Sequence, residues 1–319
     1  MDPVTHTLVG ITTANAFLRR RAGREAVPIL AWASNLPDLD GVVMLTGHPA
    51  AVVFRRTFGH SLFLLPLWSL LLALVLRRFY PRPSVRTVYG LVLLGAGLHL
   101  FFDLINSFGV VLLWPLSDRR PELAIVFIVD LVLTGLLALP ILLAAPAALR
   151  PRRALLSQIS AAAVVLYLGV CAAGHALARE ALAREALATP GRADFLYVFP
   201  EPLGPHRWRG VIRKGNLYDV YLVHSFTGRL EKKERLETHP ESPEAARARQ
   251  TPLGHRLERF FKAPVWETRR SYPEGAPARV TAYDLRFRSL VLNRRSIFPF
   301  CFQVTDAGAK ACRQGASLE

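Results

Sequence analysis

Residues 87–107, TVYGLVLLGAGLHLFFDLINS, are apolar over the length at which an α-helix crosses a bilayer, yet they carry His99 and Asp103 near their end. Positions four apart lie on one helix face, so this imidazole and this carboxylate share a side and can chelate one ion. Ionisable groups at membrane depth are costly unless they pair, bind an ion or face water. The stretch therefore predicts a membrane-embedded helical fold with a polar site inside it.

The rest of the chain divides around that prediction. Its 319 residues are 51% hydrophobic, with a mean hydropathy of +0.26 and a net charge of +16, so apolar and basic character must occupy different regions. Apolar runs at 61–76, 87–107, 122–147 and 154–175 have lengths near a bilayer span, while 4–18 and 26–36 fit half-helices or tilted helices buried in protein. From about residue 190 onward, short β-prone stretches, turn residues and charges take over. The fold class predicted is an α-helical multi-span membrane domain followed by a small β-rich or α+β extramembrane domain. Its parts are a membrane domain over 1–176 with about four full spans and two shorter N-terminal segments, an amphipathic linker over 177–190, and a basic β-rich domain over 191–319. Residues 1–18 lack the basic start of a removable signal peptide, so the first segment is expected to be retained.

Loop charges predict the orientation, because Lys and Arg in short loops favour the cytoplasmic side. Arg19, Arg20, Arg21 and Arg24, then Arg77, Arg78, Arg82 and Arg86, then Arg150, Arg152 and Arg153 fall on one side under simple alternation. The other, extracytoplasmic side then holds His6, Asp38, Asp40, His60, the end of the 87–107 helix and everything after about residue 176.

That alternation gathers His6, Asp38, Asp40, His60, His99 and Asp103 as candidate metal ligands, with Arg56 beside them. Asp38 and Asp40 flank one residue after Pro37, which interrupts a helix; Asp at such positions also caps turns. Mixed His and Asp donors suit zinc or manganese. Six candidates exceed the roughly three protein ligands of a single catalytic zinc, so one ion and two both stay open.

The segments Asp2-Pro3-Val4-Thr5-His6-Thr7, Leu36-Pro37-Asp38-Leu39-Asp40, Arg56-Thr57-Phe58-Gly59-His60-Ser61 and His99-Leu100-Phe101-Phe102-Asp103 follow one another in the first third of the chain. With Asn106-Ser107-Phe108-Gly109, Trp114-Pro115-Leu116-Ser117-Asp118-Arg119-Arg120 and Phe127-Ile128-Val129-Asp130, they resemble the ordered motifs of the YdjM-like membrane-bound metal-dependent hydrolases. The resemblance implies a multi-span inner-membrane protein in which His6, Asp38, Asp40, His60, His99 and Asp103 carry metal or act beside it. Where that family often has a His-Arg pair, this chain has Arg55-Arg56.

On this basis Asp40, His60 and Arg56 are the expected catalytic residues. Asp118, Arg119, Arg120 and Asp130 are expected to bind substrate or support the ligands, since carboxylates orient metal-bound histidines and arginine forks match phosphate oxygens. The function expected is hydrolysis of an ester or phosphodiester of a lipid-like or anionic substrate by a metal-activated water at the outer membrane face. The competing class is a non-enzymatic ion- or proton-coupled carrier, or a metal-stabilised scaffold. A carrier favours groups at the bilayer midplane and internal repeats, and the candidate groups instead cluster towards one side.

Residues 195–199, 217–226, 279–292 and 297–304 have the composition of half-buried strands, and 229–262 reads as a charged helix or mobile insertion. Residues 190–319 hold 23 basic and 14 acidic side chains, a surplus of nine that suits anionic headgroups or an anionic substrate. Membrane lipids are the expected partners, and nucleic acid is not, for want of a recognition motif. Cys301 and Cys312 are predicted to form a disulfide in an oxidising compartment, while Cys171 packs as a small apolar residue.

Overall fold

The computed structural model describes residues 1–48, 50–269, 277–292 and 298–312. They form two compact units: Met1–Val42, Arg56–Ala173 and Leu203–Pro205 in the first, Val43–Arg55, Gly174–Pro202 and His206–Glu319 in the second.

The first unit is helical. Asp2 caps α1 (Pro3–Thr13) by accepting from Thr5 N, with Pro3 at the first helical position, where its missing N–H costs nothing. A π-helical turn (Ala14–Leu18) and the short α2 (Arg19–Ala22) lead to α3 (Ala26–Ala33). A 3-10 segment over Pro37–Thr46 and the four-residue α4 (Ala51–Phe54) precede a 3-10 turn at Phe58–His60. Then come α5 (Leu65–Phe79), α6 (Val85–Leu104, capped by Ser84), α7 (Leu131–Leu143) and α8 (Arg153–Ala188).

Helix α6 packs against α3 and α5, and α1 lies against α3, α6 and α7. Two glycines permit the closest crossings. A Cβ on Gly10 would meet Leu30 O at 2.6 Å, and one on Gly95 would meet the Ala33 Cβ at 2.6 Å. Gly10 lets α1 close onto α3, and Gly95 lets α6 close onto the end of α3. On the outside, Val165 and Leu166 are 71% and 70% exposed, apolar surface that suits hydrocarbon and not water.

Among the described residues, two helical segments are long and apolar enough to cross a membrane, Val85–Leu104 and Ala147–Ala188, or three if Ala51–His60 and Leu65–Phe79 make one bent span. The run 122–147 is only partly helical. Leu123 N and Ile125 N bond to the carbonyls of Leu104 and Ile105, Val126 bridges Asn106, and helix begins at Leu131. Asp130, within the run expected to span, is therefore the cap of α7, accepting from Leu133 N at 2.9 Å. Pairing of this segment with the end of α6 competes with helix, and the aspartate's short acceptor sets where helix resumes.

The second unit takes in the end of α8, which continues as one helix to Ala188 through the stretch expected to be a linker. Strands β1 (Phe195–Pro200), β2 (Arg207–Lys214), β3 (Leu217–His224) and β4 (Arg229–Glu237) form an antiparallel meander. Helices α9 (Pro243–Arg249) and α10 (Pro252–Phe260) follow, each opened by a Ser or Thr cap and a proline. A second antiparallel meander contains β5 (Pro264–Arg269), β6 (Ala278–Asp284), β7 (Phe300–Thr305) and β8 (Gly308–Ala311). Side chains of the first sheet, Trp208, Ile212 and Val223 among them, pack with Ala178, Ala181 and Leu182 of α8, while Phe199, Val211 and Val220 pack with Val265 and Leu285.

Strands β2, β4, β5 and β8 escape the hydropathy pattern. The charged 229–262 stretch begins as an edge strand, where charges deter pairing with another sheet, and ends as α9 and α10. Cys301 and Cys312 are disulfide-bonded with their Cα atoms 5.2 Å apart, tying β7 to the residue after β8. Cys171 is buried in the core of the first unit. Residue 297, at the start of the expected 297–304 strand, lies outside the described residues.

Candidate metal centre

Asp103 is the hub of the first unit's polar interior. It is fully buried in the last turn of α6, and His99 one turn earlier places Nε2 3.4 Å from Asp103 Oδ2. His60, on the 3-10 turn before α5, brings Nε2 to 3.2 Å from the same oxygen and 3.1 Å from His99 Nε2. Asp38 Oδ1 approaches from the 3-10 segment after α3, 3.9 Å from His60 Nε2 and 3.8 Å from His99 Nε2. One donor atom from each of Asp38, His60, His99 and Asp103 lies within 4.8 Å of the other three.

The outer nitrogens of the two rings explain why the inner ones converge. His60 Nδ1 lies 3.0 Å from Asp40 Oδ2, and His99 Nδ1 lies 2.7 Å from the Ser34 carbonyl. A carboxylate and a carbonyl only accept, so both Nδ1 atoms carry the proton and donate. In neutral rings the Nε2 atoms then bear lone pairs, aimed at each other and at carboxylate oxygens. Arg56 and the Met1 ammonium offset charge at Asp103, but the contact between the two Nε2 lone pairs stays repulsive unless a cation lies between them. Two imidazoles and two carboxylates, with each ring locked by a bond at its far nitrogen, fit a divalent metal ion.

The backbone fixes these bonds. Gly59 abuts Pro37, where a Cβ would lie 2.2 Å from the Pro37 carbonyl, so glycine alone lets the His60 turn sit against the Asp38–Asp40 segment. Asp40 also accepts from Thr57 N at 3.0 Å, closing the turn that carries His60.

The other expected residues divide. His6 reaches the cluster from α1: Nε2 is 3.2 Å from Asp103 Oδ1, and its ring stacks on His99 with centroids 3.7 Å apart. His6 Nδ1 is buried and has no hydrogen-bond partner among the described residues. The Met1 ammonium also touches Asp103. Asp40 stands behind His60, outside the four-donor group. Arg56 places Nε 2.8 Å from Asp103 Oδ2, donates from Nη1 to Asn106 Oδ1 at 3.0 Å, and lies over the Phe108 ring at 4.6 Å. It does so with a left-handed φ of 57°, which is costly for a non-glycine residue and recurs at functional sites.

Arg120 is buried and lies over the same Phe108 ring at 5.6 Å, while Asp118 and Arg119 are exposed. Asp130 is engaged elsewhere, accepting from Tyr167 OH at 2.7 Å as well as capping α7. Sequence reasoning missed Asn106, which donates to Asp103 at 3.2 Å, and the Ser34 carbonyl that orients His99. Asn106 lies three residues after Asp103, where a helical neighbour is expected; a backbone carbonyl leaves no trace in residue type.

A helical membrane unit with a buried His/Asp centre, joined to a two-sheet unit, defines an integral membrane protein with a candidate metal site. Residues 1–178 match the YdjM inner membrane protein family, and the chain belongs to that family. The chain is also similar to the uncharacterized protein YfhP of Bacillus subtilis (strain 168), 30% identical over 133 residues, which span 40% of this chain and 41% of that relative. No solved structure matches the chain.

Proposed function

We propose that the protein is a membrane-bound, metal-dependent hydrolase acting on an ester or phosphodiester of a lipid-like or anionic substrate. The observation that carries this proposal is the pair of His Nε2 atoms, 3.1 Å apart and each held by a bond at its far nitrogen, facing Asp103 and Asp38. Asp38, His60, His99 and Asp103 would hold the ion, with His6 against Asp103 and His99. A divalent cation supplies charge that polarises an ester or phosphoryl oxygen and makes water more acidic.

The residues around the donors have defined tasks. Asp40 and the Ser34 carbonyl keep the His60 and His99 protons on Nδ1, leaving Nε2 free to coordinate. Asn106 holds Asp103 and Arg56 in register. Asp38 is the donor with partial exposure, so it marks the side from which substrate arrives. The loop arginines favour an outward-facing site with the second unit extracytoplasmic, where membrane lipids are the partners at hand.

The test is metal analysis of the purified full chain beside turnover assays on lipid esters and phosphodiesters, for the native chain, His99→Ala and Asp38→Ala. Stoichiometric metal in the native chain, lost in both variants together with turnover, is expected. Full metal retention by both variants would remove the site; metal without turnover of any lipid class would favour a scaffold or carrier.

A further inference from the structure

The first unit contains two buried arginines that no metal centre needs. Arg56 is 4% and Arg120 8% exposed, and their guanidinium groups lie 4.6 and 5.6 Å from the centroid of one ring, Phe108. The surrounding backbone is committed to this arrangement. Arg56 adopts its left-handed φ, and Gly109, at φ 77°, leaves no room for a side chain because its Cβ would lie 2.7 Å from Arg120 Cγ. Arg120 Nη1 donates to the Gly109 carbonyl at 3.3 Å, and Val110 N bonds to the Pro121 carbonyl, so both loop strands hold the stack.

Charge makes the arrangement informative. Asp103 already contacts the Arg56 guanidinium and the Met1 ammonium, so a divalent cation among the donors adds to positive charge gathered at the same carboxylate. Arg56, 2.8 Å from a carboxylate of the donor group, would then face a cation of like sign in a poorly solvated site. An anion shared between cation and guanidinium relieves that repulsion, and guanidinium is planar, always charged and matched to phosphate oxygens.

We infer that Arg56 and Arg120, stacked on Phe108, form an anion cradle beside the donor group that selects a phosphate-bearing substrate over an uncharged ester. This inference rests on the hydrolase proposal and narrows it: Arg56 contacts the phosphate next to the ion, and Arg120 supplies the second positive charge. Arg119, exposed and outside the stack, has no part in it.

The experiment uses the full chain in detergent, loaded with manganese, and measures inorganic phosphate binding by calorimetry together with metal content. Native protein, Arg120→Gln, Arg120→Lys, Arg56→Lys and, as a neighbouring control, Arg119→Gln are compared. Arg120→Gln is expected to weaken phosphate binding at least about tenfold with metal content unchanged, Arg120→Lys to restore part of it, and Arg119→Gln to change it less than about twofold, as loss of a charge-assisted contact predicts. Arg120→Gln should slow cleavage of bis(4-nitrophenyl) phosphate at least about tenfold more than cleavage of the uncharged 4-nitrophenyl acetate.

Phosphate affinity within twofold of native in both Arg120→Gln and Arg56→Lys, at full metal content, would overturn the cradle and leave the hydrolase proposal standing. So would an Arg120→Gln variant that slows cleavage of the phosphodiester and of the uncharged acetate by the same factor. A native chain that takes up no metal overturns the hydrolase proposal and this inference with it. Arg120→Gln alone decides the matter if Arg56→Lys fails to fold, because Arg120 is held by the Gly109 carbonyl and the Phe108 ring, whereas Arg56 is bonded to Asp103 itself.

Discussion

Each unit buries a cluster of ionisable side chains, and the two clusters obey opposite rules. In the second unit, Glu201 accepts from Arg209 Nη1, Ser289 Oγ and the backbone of Leu290 and Val291, all within 3.1 Å. Asp284 accepts from the backbone of Lys262, Ala263 and Arg286, and the Arg286 guanidinium donates to the Phe260 carbonyl. There every carboxylate meets donors. In the first unit, Asp103 meets Arg56 and Asn106, but the Nε2 atoms of His60 and His99 face acceptors and each other. A cluster whose carboxylates all meet guanidinium, hydroxyl or N–H donors is a brace; one whose lone pairs converge is built around something else.

The contrast is broken most decisively at Asp103. Asp103→Ala removes a donor oxygen from the centre and the counter-charge of Arg56, so stoichiometric metal is expected to fall to background in elemental analysis. Metal retained at native stoichiometry would make the first cluster a brace like the second.

Glu201→Ala tests the other side. It strands the buried Arg209 charge and should cost about 3–5 kcal/mol of stability, as removing one partner of a buried pair does. Denaturant unfolding of the full chain in detergent measures it. A loss within experimental error would mean that Arg209 finds water or another acceptor, and that this cluster is not a brace.

Asp40 sharpens the boundary between donor and support. Asp40→Asn keeps the shape and an acceptor for His60 Nδ1 but loses the charge, so metal affinity is expected to drop about 10–100-fold, as for residues that orient a ligand. Competition with a chelator reads it. Complete metal loss, as in Asp103→Ala, would instead make Asp40 a ligand.

The smallest effect concerns a solvent-screened pair. Hydrogen bonds from Arg235, with Lys232 beside them, depress Asp219 to about 2. Its folded value is below the unfolded one of about 3.9, so its contribution is fully present above that value and fades as pH falls towards 2. Arg235 is 57% exposed, which limits the contribution to about 1 kcal/mol or less. Thermal unfolding of native chain and Asp219→Asn should differ slightly at pH 6 and converge near pH 2; a constant difference would assign the effect to something other than ionisation.

Hydropathy made the helical half legible because a span must be apolar for most of its length, which left His99 and Asp103 conspicuous against it. It overstated the 122–147 run, since apolar residues also suit a segment that pairs with the end of α6. The second unit was legible where strands alternate, as in β3, and illegible in β4, whose RLEKKERLE sequence is an edge strand with charges facing solvent. Chain order named the candidate donors. It could not rank them, because Asp38 and Asp40 have the same composition and nearly the same position.

By itself, the sequence determined that this chain carries a membrane-embedded helical half, a β-rich half, a Cys301–Cys312 pair and a set of polar groups too costly to bury without purpose. Those properties follow from composition and period, which local sequence records. Only the tertiary structure decided that Asp38, His60, His99 and Asp103 converge, that Asp40 and the Ser34 carbonyl stand behind the two rings, and that Arg56 and Arg120 share Phe108. The reason is distance: residues 65 positions apart, as Ser34 and His99 are, or 97, as His6 and Asp103 are, meet where Gly10, Gly59 and Gly95 let backbone segments touch, and no local pattern encodes which oxygen then faces which nitrogen.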